Sequence, residues 1–225
     1  MKKRLFAALL ALSLSTILLS TTALAYTPKV DIRGQKLENM TPEQQKQALL
    51  EWMLFYAATT PPFEDVPSDS WAYAGVDFVW RNGLMSGVSE TSFAPNEPTN
   101  RAMVWTVLAR LQGEFTPAAE GQQWYEPGAR WAIEQNLDDG SNPMGGITRE
   151  YLAGMLWRCA GGPFTTTDLS GFSDYEQVSD YAVHGVRWAV SNGILQGAGG
   201  QLSPQGGLTR AELAAMVMRF GLLQD

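Results

Sequence analysis

The sequence predicts an all-α fold: three helix–loop–helix repeats whose second helices form a central three-helix bundle, with one extra N-terminal helix. Three observations predict it. An aromatic residue, a Gly or Asn twelve positions later and a Gly four beyond that recur at Trp71, Gly83 and Gly87, at Trp124, Asn136 and Gly140, and at Tyr181, Gly193 and Gly197. A Thr-Arg or Asn-Arg helix start follows each set. Counted from Arg101, Arg149 and Arg210, the offsets 3, 6, 7 and 10 are apolar in every copy. Gaps of three, four and three trace one stripe of an amphipathic helix. The same stripe in three copies calls for three helices meeting on a shared axis.

Residues 1–25 read as a secretory signal peptide. Lys2, Lys3 and Arg4 precede an apolar run over 5–19, and Ala23-Leu24-Ala25 supplies the small residues of a cleavage site. The run falls short of the roughly 20 apolar residues of a spanning helix, and no Cys follows for lipid attachment. Removal takes three of the 16 Lys+Arg and none of the 23 Asp+Glu, leaving 13 against 23 and a net charge of −10. So acidic a chain has no general basic field for nucleic acid and would meet an anionic polymer only through local cations. Cys159 is the only cysteine and His184 the only histidine. That excludes an internal disulfide and the usual zinc sites, and no G-x-S-x-G or H-E-x-x-H motif is present.

Residues 26–62 read as a linker and an N-terminal helix. Thr41-Pro42-Glu43-Gln44 combines a cap, a Pro at the first helical position and a capping-box Gln, and the helix is expected to end near Ala58. The repeats then occupy 63–112, 113–165 and 166–225. Each first helix is expected to end at Gly83, Asn136 or Gly193, Asn being the residue after Gly that best tolerates a left-handed C-cap. The loops over 86–98 and 197–207 share Phe93-Ala94-Pro95 and Leu202-Ser203-Pro204, whereas the middle loop is truncated to 141–146. The stripes are Val104, Val107, Leu108 and Leu111; Leu152, Met155, Leu156 and Cys159; and Leu213, Met216, Val217 and Phe220. Cys159 therefore reads as a buried structural thiol. Phe78, Trp131 and Trp188 read as core, His184 as a surface or boundary residue, and Trp105 and Trp157 as either groove lining or core cover.

These residues carry a resemblance. Phe63-x-Asp65-Val66, Trp71-Ala72, Gly83-Leu84-x-x-Gly87, Phe93-x-Pro95 and the Arg101 helix start resemble an S-layer homology (SLH) repeat. Phe172-x-Asp174, Tyr181-Ala182, Gly193-Ile194-x-x-Gly197 and Leu208-Thr209-Arg210-Ala211-Glu212 resemble another. The middle copy is degenerate and is matched mainly by position. The resemblance implies a pseudo-threefold helical domain whose grooves hold secondary cell-wall polymer, often pyruvylated, and so keep a protein on the bacterial surface.

The candidate glycan-binding residues are Arg101, Arg149, Arg210, Trp71, Trp124, Tyr181, Asp65, Asp174, Gly87 and Gly197. Each Arg opposes the helix macrodipole. Free backbone N–H groups beside a guanidinium make a carboxylate site, and the alternative is an Arg that pairs with a nearby Asp, such as Asp65 or Asp174, and joins repeats. The three aromatics would stack on a sugar face or staple the helix start to the core. Asp65 and Asp174 would take sugar hydroxyls or cap turns, and the middle copy has Pro117 in their place. Gly87 and Gly197 permit close approach or a tight turn. One or two working grooves are expected, with Arg101 and Arg210 the leading cations and Arg149 the weaker.

The expected function is non-catalytic anchoring on wall polysaccharide or a peptidoglycan-linked glycan, with no catalytic residues, metal or cofactor, no nucleic-acid partner and no membrane contact after signal cleavage. The alternatives are an envelope assembly protein acting through protein contacts and, less favoured, a wall hydrolase, for which no paired carboxylate motif stands out.

Overall fold

The first helix, α1 (Pro42–Ala58), opens as its cap requires: Thr41 Oγ1 accepts from the Gln44 N–H, and Gln44 returns a carbonyl to the Thr41 N–H. The computed structural model describes residues 37–223, without the side chains of residues 52, 53 and 55–58, so the signal peptide reading lies outside the described residues. Those residues form two units, 37–59 and Thr60–Leu223. In the first, a short 3-10 turn at Leu37–Asn39 precedes α1, and Gln45 Nε2 donates to the carbonyls of Leu37 and Met40.

The second unit holds two sets of helices. One comprises α2 (Tyr73–Arg81), α4 (Glu126–Glu134) and α6 (Val183–Ser191). The other comprises α3 (Arg101–Leu111), α5 (Arg149–Cys159) and α7 (Arg210–Gly221). The regular structure described is helical, with isolated β-bridges such as Pro98 with Thr209. The caps form as expected: Asn100, Thr148 and Thr209 accept from Met103, Tyr151 and Glu212, and Glu212 completes its capping box. Gly83, Asn136 and Gly193 all take positive φ, at 65°, 55° and 66°. Asn136 thus does at one helix end what Gly does at the other two.

Burial sorts the two sets. The expected stripe residues of α3, α5 and α7 are buried except Cys159, and α7 is buried almost all round. The shorter helices bury one face, with Phe78, Trp131 and Trp188 inward. Trp105 is fully buried. Trp157 lies half-buried, its ring stacked on exposed His184 and its Nε1 donating to the Pro163 carbonyl. Cys159 corrects the reading of a fully buried thiol. It sits at the helix end, where the chain leaves the core, and is half-buried. Burial of the thiol itself still pushes its pKa up to about 12, so little reactive thiolate forms at neutral pH.

The pairing of the helices is the main fact for function. α2 packs on α7, α4 on α3, and α6 on α5. A glycine sits at each crossing. A Cβ built on Gly75 would lie 2.8 Å from the Ala215 Cα, one on Gly128 2.8 Å from the Thr106 Cα, and one on Gly185 2.6 Å from the Gly154 Cα. Backbone thus meets backbone at each crossing. α4 and α6 each rest on the helix that precedes them in the chain, and α2 rests on the last helix, α7.

The loops follow the same order. The N–H groups of Arg101 and Ala102 donate to Gly145 and Pro143; those of Arg149 and Glu150 donate to Gly206 and Pro204; those of Arg210 and Ala211 donate to Glu97 and Pro95. Ala94, Asn142 and Ser203 precede those prolines, and each has positive φ. The truncated middle loop therefore keeps the turn that receives the neighbouring helix.

Candidate functional site

The three arginines sit at the joints. Arg149 donates from Nε to the Leu202 carbonyl (2.9 Å), from Nη2 to the Gln196 carbonyl (2.8 Å) and from Nη1 to Glu212 Oε1 (2.7 Å). Arg210 repeats the first two bonds at the matching residues, Phe93 (2.8 Å) and Ser86 (2.8 Å), with its guanidinium 4.5 Å from the Phe93 ring centroid. Arg101 departs from the pattern. Its Nη2 meets Asp138 and Asp139, its Nε is buried without a partner, and its guanidinium lies over the rings of Tyr151 and Trp105. The truncated loop leaves the Arg101 Nε unpaired where the other two reach a carbonyl.

Two expectations about these arginines are corrected. The first-turn N–H groups beside them are not free for a carboxylate, because loop carbonyls take them. Nor do Asp65 and Asp174 form ion pairs with them, although Arg101 does pair with nearby aspartates, Asp138 and Asp139. These carboxylates hold loops instead. Asp65 accepts from the N–H groups of Phe93 and Ala94 and from the Ser92 hydroxyl, and Asp174 accepts from the N–H groups of Leu202 and Ser203. Pro117 offers no such clamp, and the middle loop is pinned by Asp138 and Asp139, which accept from Gly140 and Ser141.

Burial acts to raise both clamp carboxyls, but the donors outweigh it and leave Asp65 and Asp174 below the ordinary Asp range. A lowered folded-state pKa gives stability that is full above the unfolded value, about 3.9, and is lost as pH falls through the folded value. Thermal midpoints of wild type and the Asp65→Asn/Asp174→Asn double variant should therefore differ clearly at neutral pH and converge as pH falls below the folded-state values. A gap unchanged across that range would contradict the clamp.

Trp71, Trp124 and Tyr181 are 66%, 50% and 64% exposed, so none is a core staple. Two of them border cavities. One, of about 370 Å³, is lined by Trp71, Arg149, Gly197, Ser203, Met216 and Arg219. Another, of about 780 Å³, has both Trp124 and Arg110 in its lining. Tyr181 differs: its hydroxyl donates to Glu150 (2.9 Å), and burial followed by that bond pushes its pKa up to about 12. Glu150 is fully buried and also accepts from Ser179 and Gln205. With Asp138 and Asp139 on Arg101 and Arg158 held on the Leu137 carbonyl, three carboxylates stand against two guanidiniums at this third corner.

Gly87 and Gly197 serve packing. A Cβ there would lie 2.5 Å from the Phe63 ring and 2.6 Å from the Phe172 ring, and both positions also face loop carbonyls.

One set of residues escaped the sequence reading. Arg110, Arg158 and Arg219 stand nine positions after Arg101, Arg149 and Arg210, and donate to the carbonyls of Leu84, Leu137 and Ile194. Their recurrence at a fixed offset was the available signal. Burial lowers the pKa of Arg110, and burial followed by the charge of Arg149 lowers that of Arg219. An anion beside Arg219 would offset that repulsion.

Residues 62–102 and 171–214 match the model of the S-layer homology domain. The chain is 28% identical over 179 residues to an amylopullulanase from Thermoanaerobacterium thermosulfurigenes, covering 72% of this chain and 9% of the relative. It is 26% identical over 176 residues to S-layer protein sap of Bacillus anthracis, covering 72% and 22%. It is 31% identical over 107 residues to the Surface-layer 125 kDa protein of Lysinibacillus sphaericus, covering 40% and 9%. The chain thus spans less than a quarter of each of these relatives. It carries the S-layer homology domain at those two segments.

Proposed function

We propose that the mature chain is a non-catalytic cell-wall anchoring module that holds an anionic, pyruvylated wall polysaccharide in two grooves. In the first, Trp71 stacks on a sugar while Arg149 and Arg219 face its carboxylate. In the second, Trp124 and Arg110 take the matching places. The corner at Tyr181 is filled by the protein's own charges.

The observation that carries this reading is an exposed Trp beside a half-buried arginine at equivalent places in two cavities. An S-layer homology domain implies cell-wall anchoring, which fits that chemistry. The cyclic order of helix pairing supports three copies, over 63–112, 113–165 and 166–225, closing into a pseudo-threefold ring. A signal peptide over 1–25 would deliver the chain to the surface. Among the described residues no helix is long and apolar enough to cross a membrane.

Exposed Trp71 and Trp124 can be changed without opening the core, which makes them the clean test. Trp71→Ala and Trp124→Ala should each weaken retention on purified wall polymer by about tenfold at unchanged thermal midpoint. The double variant should lose more than either, because linked sites reinforce each other. Full retention by the double variant would overturn the proposal.

A further inference from the structure

We propose that the larger cavity, between α3 and α4, takes a zwitterionic glycan unit: a sugar bearing a free ammonium beside an acid group. This rests on the reading that the grooves hold wall glycan, and it specifies what this groove selects.

The cavity of about 780 Å³ carries charge of both signs, from Arg110 and Arg130 and from Glu114, which is already partnered, and Glu134. Arg110 donates to the Leu84 carbonyl, and among the described residues no carboxylate forms an ion pair with it. Arg130 and Glu134 stand one turn apart on α4, the spacing at which opposite charges meet, yet they too form no ion pair among the described residues. Glu134 is the last residue of α4, where the macrodipole disfavours a carboxylate. The matching positions on α2 and α6 hold Arg81 and Ser191, so an acid at this place is particular to this groove.

The half-buried cation of Arg110 and the exposed carboxylate of Glu134 can both be engaged by a ligand with both charges. The ring of Trp124 offers a stacking face beside them. The smaller cavity is different: its carboxylate, Glu212, is already tied to Arg149, so it presents cationic character only.

The test uses the full mature chain carrying Trp71→Ala, titrated by calorimetry with three probes. Muramic acid carries an ammonium and a carboxylate, N-acetylmuramic acid the carboxylate alone, and glucosamine the ammonium alone. Muramic acid should bind about tenfold tighter than either of the others, and adding Glu134→Gln should bring it within about twofold of N-acetylmuramic acid. N-acetylmuramic acid binding as well as muramic acid, a preference that survives Glu134→Gln, or no binding of any probe would overturn the inference. Retention of the same Trp71→Ala chain on wall polymer separates the two claims. Retention without amine preference overturns this inference alone, and loss of retention by wild type as well overturns the anchoring reading beneath it.

Discussion

Replacing Gly185 by valine lowers the thermal midpoint by roughly 4–12 °C, the counterpart of about 2–3 kcal/mol. The cause is local. Gly185 lies where α6 crosses α5, and even a Cβ would sit 2.6 Å from the Gly154 Cα and 2.9 Å from the Gly154 nitrogen. Those are backbone atoms of a helix, so no rotamer change relieves the clash and the helices must separate. Separation loosens the packing of Val186 and Ala189, both fully buried. The facing residue supplies a control of opposite sign. A Cβ on Gly154 would meet nothing within 4 Å. Gly154→Ala should therefore stabilise by about 0.5–1 kcal/mol through helix propensity. Calorimetry on the two variants checks both signs, and a stabilised Gly185→Val would contradict the close crossing.

Arg210→Ala should cost about 2–4 kcal/mol, because two carbonyls in a buried joint lose their donor at once. Arg210 is 8% exposed and belongs to the last copy, while its acceptors Phe93 and Ser86 belong to the first. Truncation thus loosens the joint that connects the two ends of the sequence of copies. Arg210→Lys should recover only part of the loss, since one ammonium cannot reproduce a planar fork aimed at two oxygens. Chemical denaturation of the two variants measures the difference; equal stability of Arg210→Ala and wild type would show that the joint carries no weight. The same geometry makes Arg210 a poor probe of glycan binding, because its loss disturbs the fold before any ligand is considered.

Much of the fold was legible because it is encoded locally. The caps at Thr41, Thr148 and Thr209, the left-handed Asn136 and the apolar stripes each depend on neighbours within a few positions. The cyclic pairing of helices was not read, although its mark was present: Gly75, Gly128 and Gly185 recur at one register, but only the crossing explains why. The site was legible in part. The aromatic positions were found from their spacing, and their exposure shows that none of them is a core staple. The roles of Arg101, Arg149 and Arg210 were misjudged in one respect, since sequence cannot tell which loop carbonyl will occupy a helix N-terminus. Asp65 and Asp174 were weighed as arginine partners, but their acceptors face backbone N–H groups some 28 residues away in sequence. Arg110, Arg158 and Arg219 lie off the apolar stripe in the last turns of their helices, where only their common offset marks them.

Half-buried arginines beside exposed tryptophans are proposed to recognise an acidic wall sugar. Retention of the mature protein on purified wall polymer, measured before and after chemical removal of the pyruvyl groups at about 0.15 M ionic strength, tests this recognition most directly. Retention should fall at least about tenfold once the carboxylates are gone. Equal retention on the two polymers would contradict the account.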